Sequence, residues 1–234
     1  MKLTFVRSKE EADNIKSFFF EPEQPIQFTA GQFAEWRTKH NNPDKRGQKR
    51  WFTISTSPNS NLIGFTTKFS KDKSSTFKKH LLTLRAGDQI DISQPMGDFV
   101  LPKLIQTPLV FVAGGIGITP FHSILSWLAE TNEKRDIKLI YGVNSEDEII
   151  FQESFDATAI QPTIVVDNPS SAWGGERGSL NAELIMDFAK PSEDTLVYVS
   201  GPEPMVKKLE KNLIKAGLNR KQFVGDFFPN YITV

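Results

Sequence analysis

Apolar and polar positions alternate through the N-terminal part of the chain, and the alternation predicts short strands over residues 2–7, 15–20, 32–38, 50–55, 62–69 and 89–92, each bounded by turn chemistry. One segment breaks that period. Over residues 75–84, Phe77, Leu81, Leu82 and Leu84 recur at helical spacing, opened by Ser74-Ser75-Thr76 and stopped by Gly87. A six-stranded antiparallel barrel with one helix accommodates this half. From Leu109 the rhythm becomes strand then helix: 109–113 into 119–131, 137–143 into 149–155, 162–166 into 179–189 and 195–199 into 203–216, ending on a strand at 221–228. Such alternation implies a Rossmann-like parallel sheet with helices on both faces. The change of rhythm puts the boundary between Pro102 and Pro108, giving domains of residues 1–103 and 104–234.

The join between the first α/β strand and its helix is the most informative local feature. The apolar run Leu109-Val110-Phe111-Val112-Ala113 breaks into glycines at 114, 115 and 117 before the helical pattern begins. Glycines permit a sharp turn and a close ligand approach, and the free N–H groups of a helix start suit a pyrophosphate. Thr119 is expected to cap that helix and Pro120 to occupy its first turn. The same turn is equally at home in any strand-to-helix connection.

Composition narrows the classes. The chain of 234 residues is 38% apolar and carries 28 basic and 28 acidic residues, so its bulk charge favours neither nucleic acid nor an anionic membrane. No apolar run approaches the roughly 20 residues of a bilayer span, and the early charges of Met1-Lys2-Leu3-Thr4-Phe5-Val6-Arg7 argue against a secretory leader, which makes the cytoplasm the expected location. There is no cysteine, which excludes disulfides, thiolate metal sites, catalytic thiols and cysteine-ligated clusters on this chain. No metal site is expected. Residues 39–49 read as a polar, charged hairpin loop.

After that loop, Arg50-Trp51-Phe52-Thr53-Ile54-Ser55 alternates as a strand, with Arg50, Phe52 and Ile54 on one face and Trp51, Thr53 and Ser55 on the other. Together with Gly64-Phe65-Thr66-Thr67-Lys68-Phe69 and the hydroxyls at 75 and 76, it offers a cation, aromatics and hydroxyls to a phosphorylated aromatic cofactor.

In this order, Arg50-Trp51-Phe52-Thr53 and Gly114-Gly115-Ile116-Gly117-Ile118-Thr119-Pro120 resemble two motifs of the ferredoxin-NADP reductase superfamily, Arg-x-Tyr/Phe-Ser/Thr and Gly-Gly-x-Gly-x-Thr-Pro. Collinear matches extend through Gly31-Gln32-Phe33, Ser75-Thr76-Phe77, Gly87-Asp88, Pro95-Met96-Gly97-Asp98-Phe99, Tyr141-Gly142, Trp173-Gly174, Gly178 and Ser200-Gly201-Pro202. The resemblance implies a flavin-binding barrel followed by an NAD(P)-binding domain, with FAD and either NADPH or NADH as cofactors. It implies that Arg50 pairs with the flavin pyrophosphate, Phe52 packs on the isoalloxazine and Thr53 offers its hydroxyl near flavin N5. Thr66, Thr67 and Lys68 would border the flavin, and Ser75 and Thr76 would donate to its phosphates, capping being their other reading. Gly114, Gly115, Gly117 and Thr119 would hold the dinucleotide, and Gly201 and Pro202 would line the nicotinamide slot. Trp51, Tyr141 and Asn144 complete the implied cofactor set, and Asp226-Phe227-Phe228 resembles the family's acidic-x-aromatic tail, with Phe228 or Tyr231 covering the flavin.

Three positions depart from the family pattern. Ser200 stands where many relatives have cysteine, Asp226 is one methylene shorter than the commoner glutamate, and Asn144 replaces an arginine that suits a 2′-phosphate. Thr53, Ser200 and Asp226 are the polar groups expected nearest hydride transfer from nicotinamide C4 to flavin N5. The implied activity is an NAD(P)H-dependent flavoprotein reductase passing electrons to a separate ferredoxin, flavodoxin or oxygenase component, as a monomer or weak dimer. A reductase of free flavin, quinone or ferric chelates is a second reading, and a non-catalytic regulatory module a third.

Overall fold

The computed structural model describes residues 1–70 and 73–228, the last of these by its backbone alone. Its first sheet contains β1 (Lys2–Ala12), β2 (Ile15–Pro22), β3 (Phe33–Arg37), β4 (Lys49–Thr53), β5 (Ile63–Lys68) and β6 (Gln89–Ile92). All pairings are antiparallel, in the order β4-β3-β6-β1-β2-β5. Beyond β4 the chain bends across to the far edge, where the Ser55 amide donates to the Gly64 carbonyl of β5 at 2.8 Å and brings the two ends of the sheet together as a barrel. Aromatic residues fill its interior. Phe18, Phe20, Trp36 and Phe65 are almost fully buried, and the Trp36 ring meets Phe65 edge-on at 4.6 Å. Each such ring removes roughly 150–250 Å² from water, so this short sheet draws its stability from few, large side chains. Helix α1 (Thr76–Leu81) closes one end with Phe77 and Leu81 turned inward.

The second sheet is parallel: β7 (Leu109–Gly114), β8 (Ile137–Val143), β9 (Thr163–Val166), β10 (Glu176–Arg177), β11 (Leu196–Pro202) and β12 (Phe223–Phe228), in the order β10-β9-β8-β7-β11-β12. Helices α2 (Thr119–Thr131), α3 (Gln152–Thr158), α4 (Ala182–Ala189) and α5 (Glu203–Lys215) cover both faces. Phe111, Ala113, Leu139 and Tyr141 pack toward α2 and α3, while Val110, Val112, Ile140 and Val199 pack toward α4 and α5. Every residue of β7 is buried because both of its faces are covered. Strand order reverses at β7, with β8 on one side and β11 on the other. In open α/β sheets that reversal marks a ligand crevice beyond the carboxyl ends of the strands.

Several elements differ from expectation. The second α/β helix starts at Gln152, because Phe151 adopts a left-handed φ of 66° and Ile149 is extended. Helix α1 ends at Leu81 instead of running to residue 84. The two-residue strand β10 was not expected, being too short to show a period. A 3-10 turn (Gly115–Ile118) separates β7 from α2, so Thr119 lies inside helical structure instead of capping it. Its hydroxyl donates to the Ile116 carbonyl at 3.0 Å.

Candidate functional site

The site lies where the barrel meets the crevice of the parallel sheet. Strand β5 lies against the Gly115–Ile118 turn. The Ser123 hydroxyl of α2 donates to the Thr56 carbonyl at 2.7 Å, and Tyr198 Oη of β11 donates to the Val100 carbonyl at 2.7 Å. These contacts bring the ends of β4 and β5 to the ends of β7 and β11. A Cβ at Gly117 would sit 2.2 Å from the Ser200 carbonyl oxygen, so this glycine allows the turn to lie on β11. At Gly115, with φ of +52°, a Cβ would meet nothing within 4 Å, and its backbone faces open space.

Four buried side-chain atoms among the described residues have no hydrogen-bond partner: Arg50 Nη2, Thr53 Oγ1, Thr67 Oγ1 and Ser200 Oγ. An unpaired buried polar group costs about 1–3 kcal/mol, so four of them form a set of groups built to be completed by something else. All four belong to the residues that the motifs single out. Ser200 is fully buried and in parallel register with Asp226 on β12. Burial pushes the Asp226 carboxyl up to about 6, opposed by a hydrogen bond from the Phe227 backbone and assisted by the charge of Asp98. A hydroxyl and a readily protonated carboxyl therefore stand on neighbouring strands at the crevice.

The remaining candidates divide sharply. Lys68 reaches across to Glu148, which sits in the turn after β8 and whose carbonyl accepts from Tyr141 Oη at 3.2 Å. Thr66 spends its hydroxyl on Ser17, at 2.7 Å, and Ser55, at 3.1 Å. Ser75 caps α1 by accepting from the Lys78 amide, and Thr76 Oγ1 meets the Asp44 amide and His40 Nε2, each at 3.0 Å. Asn144 is exposed and accepts from the Asn168 amide group at 2.9 Å. Gly201 passes close to Gly114 and Met205, and Pro202 leads into α5. Trp51 is 55% exposed beside Phe33.

Two residues of the implied cofactor set are packed into the cores. Phe52 does not present its ring outward, because it stacks on Phe65 at 4.4 Å inside the barrel. Tyr141 is a core residue with no exposed surface, and its burial drives the phenol pKa upward. The Phe228 side chain and Tyr231 lie outside the described residues. Sequence reasoning missed Asp44, Glu148 and the charge effect of Asp98. Only Asp98 carried a signal, in the Pro95-Met96-Gly97-Asp98-Phe99 match.

A family model described as the oxidoreductase NAD-binding domain matches residues 111–211. A flavohemoprotein of Xylella fastidiosa is 27% identical over 234 residues, covering 96% of this chain and 58% of the relative. The 2-halobenzoate 1,2-dioxygenase electron transfer component of Burkholderia cepacia is 27% identical over 217 residues, covering 89% of this chain and 61% of the relative. The chain thus spans about three fifths of the length of these curated relatives. Among solved structures, a ferredoxin NADP+ reductase from Neisseria gonorrhoeae with bound FAD and NADP superposes with a TM-score of 0.81 at 19% identity, covering 97% of this chain and 98% of that one. Residues 111–211 thus match an oxidoreductase NAD-binding domain, and the fold of the whole chain is that of the ferredoxin NADP+ reductase structure. No helix among the described residues is long and apolar enough to cross a membrane.

Proposed function

We propose that this chain is an FAD-dependent NAD(P)H oxidoreductase that delivers electrons to a separate acceptor such as a ferredoxin, a flavodoxin or an oxygenase component. The observation that carries this reading is the set of four buried polar atoms without a hydrogen-bond partner, divided between the barrel and the sheet crevice. Residues 1–103 would hold the flavin and residues 104–234 the nicotinamide dinucleotide. A flavin held there would supply a hydride acceptor at N5 and a relay for the electrons, and the nicotinamide would supply the hydride from C4.

The chain's own part is positioning and exclusion of water. Arg50 is the cation for the flavin diphosphate, Thr53 and Thr67 supply hydroxyls to the isoalloxazine, and Lys68 borders it. The backbone around Gly115 receives the dinucleotide, and Gly201 with Pro202 lines the nicotinamide slot. Ser200 and Asp226 orient the reacting face, Asp226 holding a proton on its carboxyl below about pH 6. The relation to a dioxygenase electron transfer component supports a separate acceptor protein.

The donor read from the strand ends is NADH. Asn144 ends the β8 connection, Asp167 follows β9, and the Asn168 amide donates to the Asn144 carbonyl between them. Asn144 offers no cation to a 2′-phosphate, and the Asp167 carboxylate, which accepts from Ser179 Oγ, adds negative charge beside it. The test is the visible spectrum of FAD-reconstituted protein during anaerobic additions of each nucleotide. NADH is expected to bleach the flavin band at about tenfold lower concentration than NADPH. A bound flavin that neither nucleotide reduces would refute the reductase reading.

A further inference from the structure

The arginine assigned to the flavin diphosphate is not free to meet it. Arg50 Nη1 donates to the carbonyls of Arg46 and Gly47, in the loop that precedes its own strand, and of Lys49, the first residue of that strand. Nη2 is sealed from solvent and makes no hydrogen bond, and its ion-pair partner is Asp44, whose Oδ1 lies 3.8 Å away. The same loop is fastened on its other side. Asp44 Oδ2 accepts from the Thr76 amide at 3.0 Å, the Asp44 amide donates to Thr76 Oγ1 at 3.0 Å, His40 Nε2 meets that hydroxyl at 3.0 Å, and Arg46 Nη1 donates to the Lys73 carbonyl at 3.0 Å. Arg46 also clamps the Asp44 carboxylate through Nε and Nη2, at 3.2 and 2.8 Å.

We infer that residues 39–48 form a strap that holds Asp44 beside Arg50 as an internal counterion, which a cofactor phosphate must displace before it can bind. The inference rests on the proposed assignment of Arg50 to the flavin diphosphate. Its physical basis is competition between like groups. A carboxylate and a phosphate both seek a guanidinium and backbone N–H donors, and two anions cannot share one partner without strong repulsion. Arg50 Nη2 has no exposed surface in the strapped state, so binding requires the loop to move. The apparent affinity is then reduced by the fraction of molecules already open. Asp44 would set flavin affinity and the rate of flavin uptake without touching the reacting atoms. The strap's fastenings are hydrogen bonds and ion pairs, with the His40 ring edge-on to Phe77 at 6.4 Å, so it can lift while the barrel core stays closed.

The experiment is fluorescence titration of the apoprotein with FAD, for wild type, Asp44→Asn and Asp44→Ala. Asparagine keeps an oxygen for the Thr76 amide and removes only the charge, which separates loss of the counterion from loss of the fold. Both variants are expected to bind FAD about tenfold more tightly, with faster uptake in stopped flow. In wild type, FAD is expected to speed hydrogen exchange of the Thr76 amide and of residues 40–48. An unchanged or weaker dissociation constant in Asp44→Asn, with the wild-type melting temperature, would overturn the strap while leaving the flavin reading intact. If neither wild type nor Asp44→Asn binds FAD, the flavin reading fails and the strap falls with it.

Discussion

At the level of single residues, the unpaired groups make opposite demands on stability and on binding. Thr67 Oγ1 is buried without a partner, so Thr67→Val keeps the shape and removes a desolvated hydroxyl. The variant apoprotein is expected to be about 1 kcal/mol more stable in urea unfolding, and its FAD affinity several-fold weaker by fluorescence titration. A gain in stability without a loss of affinity would show that the hydroxyl serves no ligand. Asp226 makes the second case. Burial raises its carboxyl from 3.8 to about 6, so the folded state holds this proton more tightly than the unfolded chain does. Its contribution is therefore full below about pH 4 and is lost as pH rises through about 6, a change of about 2 to 3 kcal/mol. Asp226→Asn is expected to flatten that decline, so that wild type and variant unfold at similar urea concentrations at pH 4 and diverge in favour of the variant at pH 8.

Secondary elements were legible where a period could be counted. The strand predicted over 137–143 and the helix predicted over 119–131 match their observed limits because polar residues bound each apolar segment. Parity in β4 was also correct, since Phe52 and Ile54 share a buried face. Parity does not say which face is inside: Phe52, which the resemblance implies at the flavin, stacks on Phe65, and Thr53 and Ser55 on the other face are buried too. The helix that begins at Gln152 was misplaced because Ile149, Ile150 and Phe151 are apolar yet enter the core from extended and left-handed backbone. Glu148 and Asp44 left no trace in the pattern, since each acts through a partner far along the chain. The 3-10 turn makes its own prediction. Gly117→Ala places a methyl 2.2 Å from the Ser200 carbonyl, and Gly115→Ala meets no atom and bears only the strain of φ +52°. Gly117→Ala is expected to cost about 2 to 4 kcal/mol and Gly115→Ala about 1 to 2 kcal/mol, measured by chemical unfolding. Equal losses would mean that close approach to β11 is not what the glycine at 117 provides.

Across the whole molecule, the two sheets are joined by a packed seam and a few polar ties. Phe99 packs edge-on to Phe121 and Tyr198, at 5.5 and 5.1 Å, so the end of the barrel contributes to the core beneath the parallel sheet. Lys68 to Glu148 is the tie that spans the site itself, with side chains 36% and 16% exposed. Tyr141 fixes the carbonyl of Glu148 from below, so the carboxylate is held where it can neutralise Lys68. Its energetic worth as a surface-edge pair is small, roughly 0 to 1 kcal/mol, so removing it should leave the fold intact. Its electrostatic effect should be larger than its structural one. If Lys68 borders the flavin as proposed, its charge would stabilise the extra negative charge of the reduced cofactor, and Glu148 would offset that by cancelling it. Glu148→Gln is therefore expected to raise the flavin midpoint potential by about 30 mV, which for a two-electron couple corresponds to about 1.4 kcal/mol. Spectroelectrochemical titration reads this directly, and the shift should shrink as ionic strength rises because the pair is partly open to solvent. A lowered potential, or a melting temperature that falls by more than a few degrees, would instead make Glu148 a structural strut between the sheets.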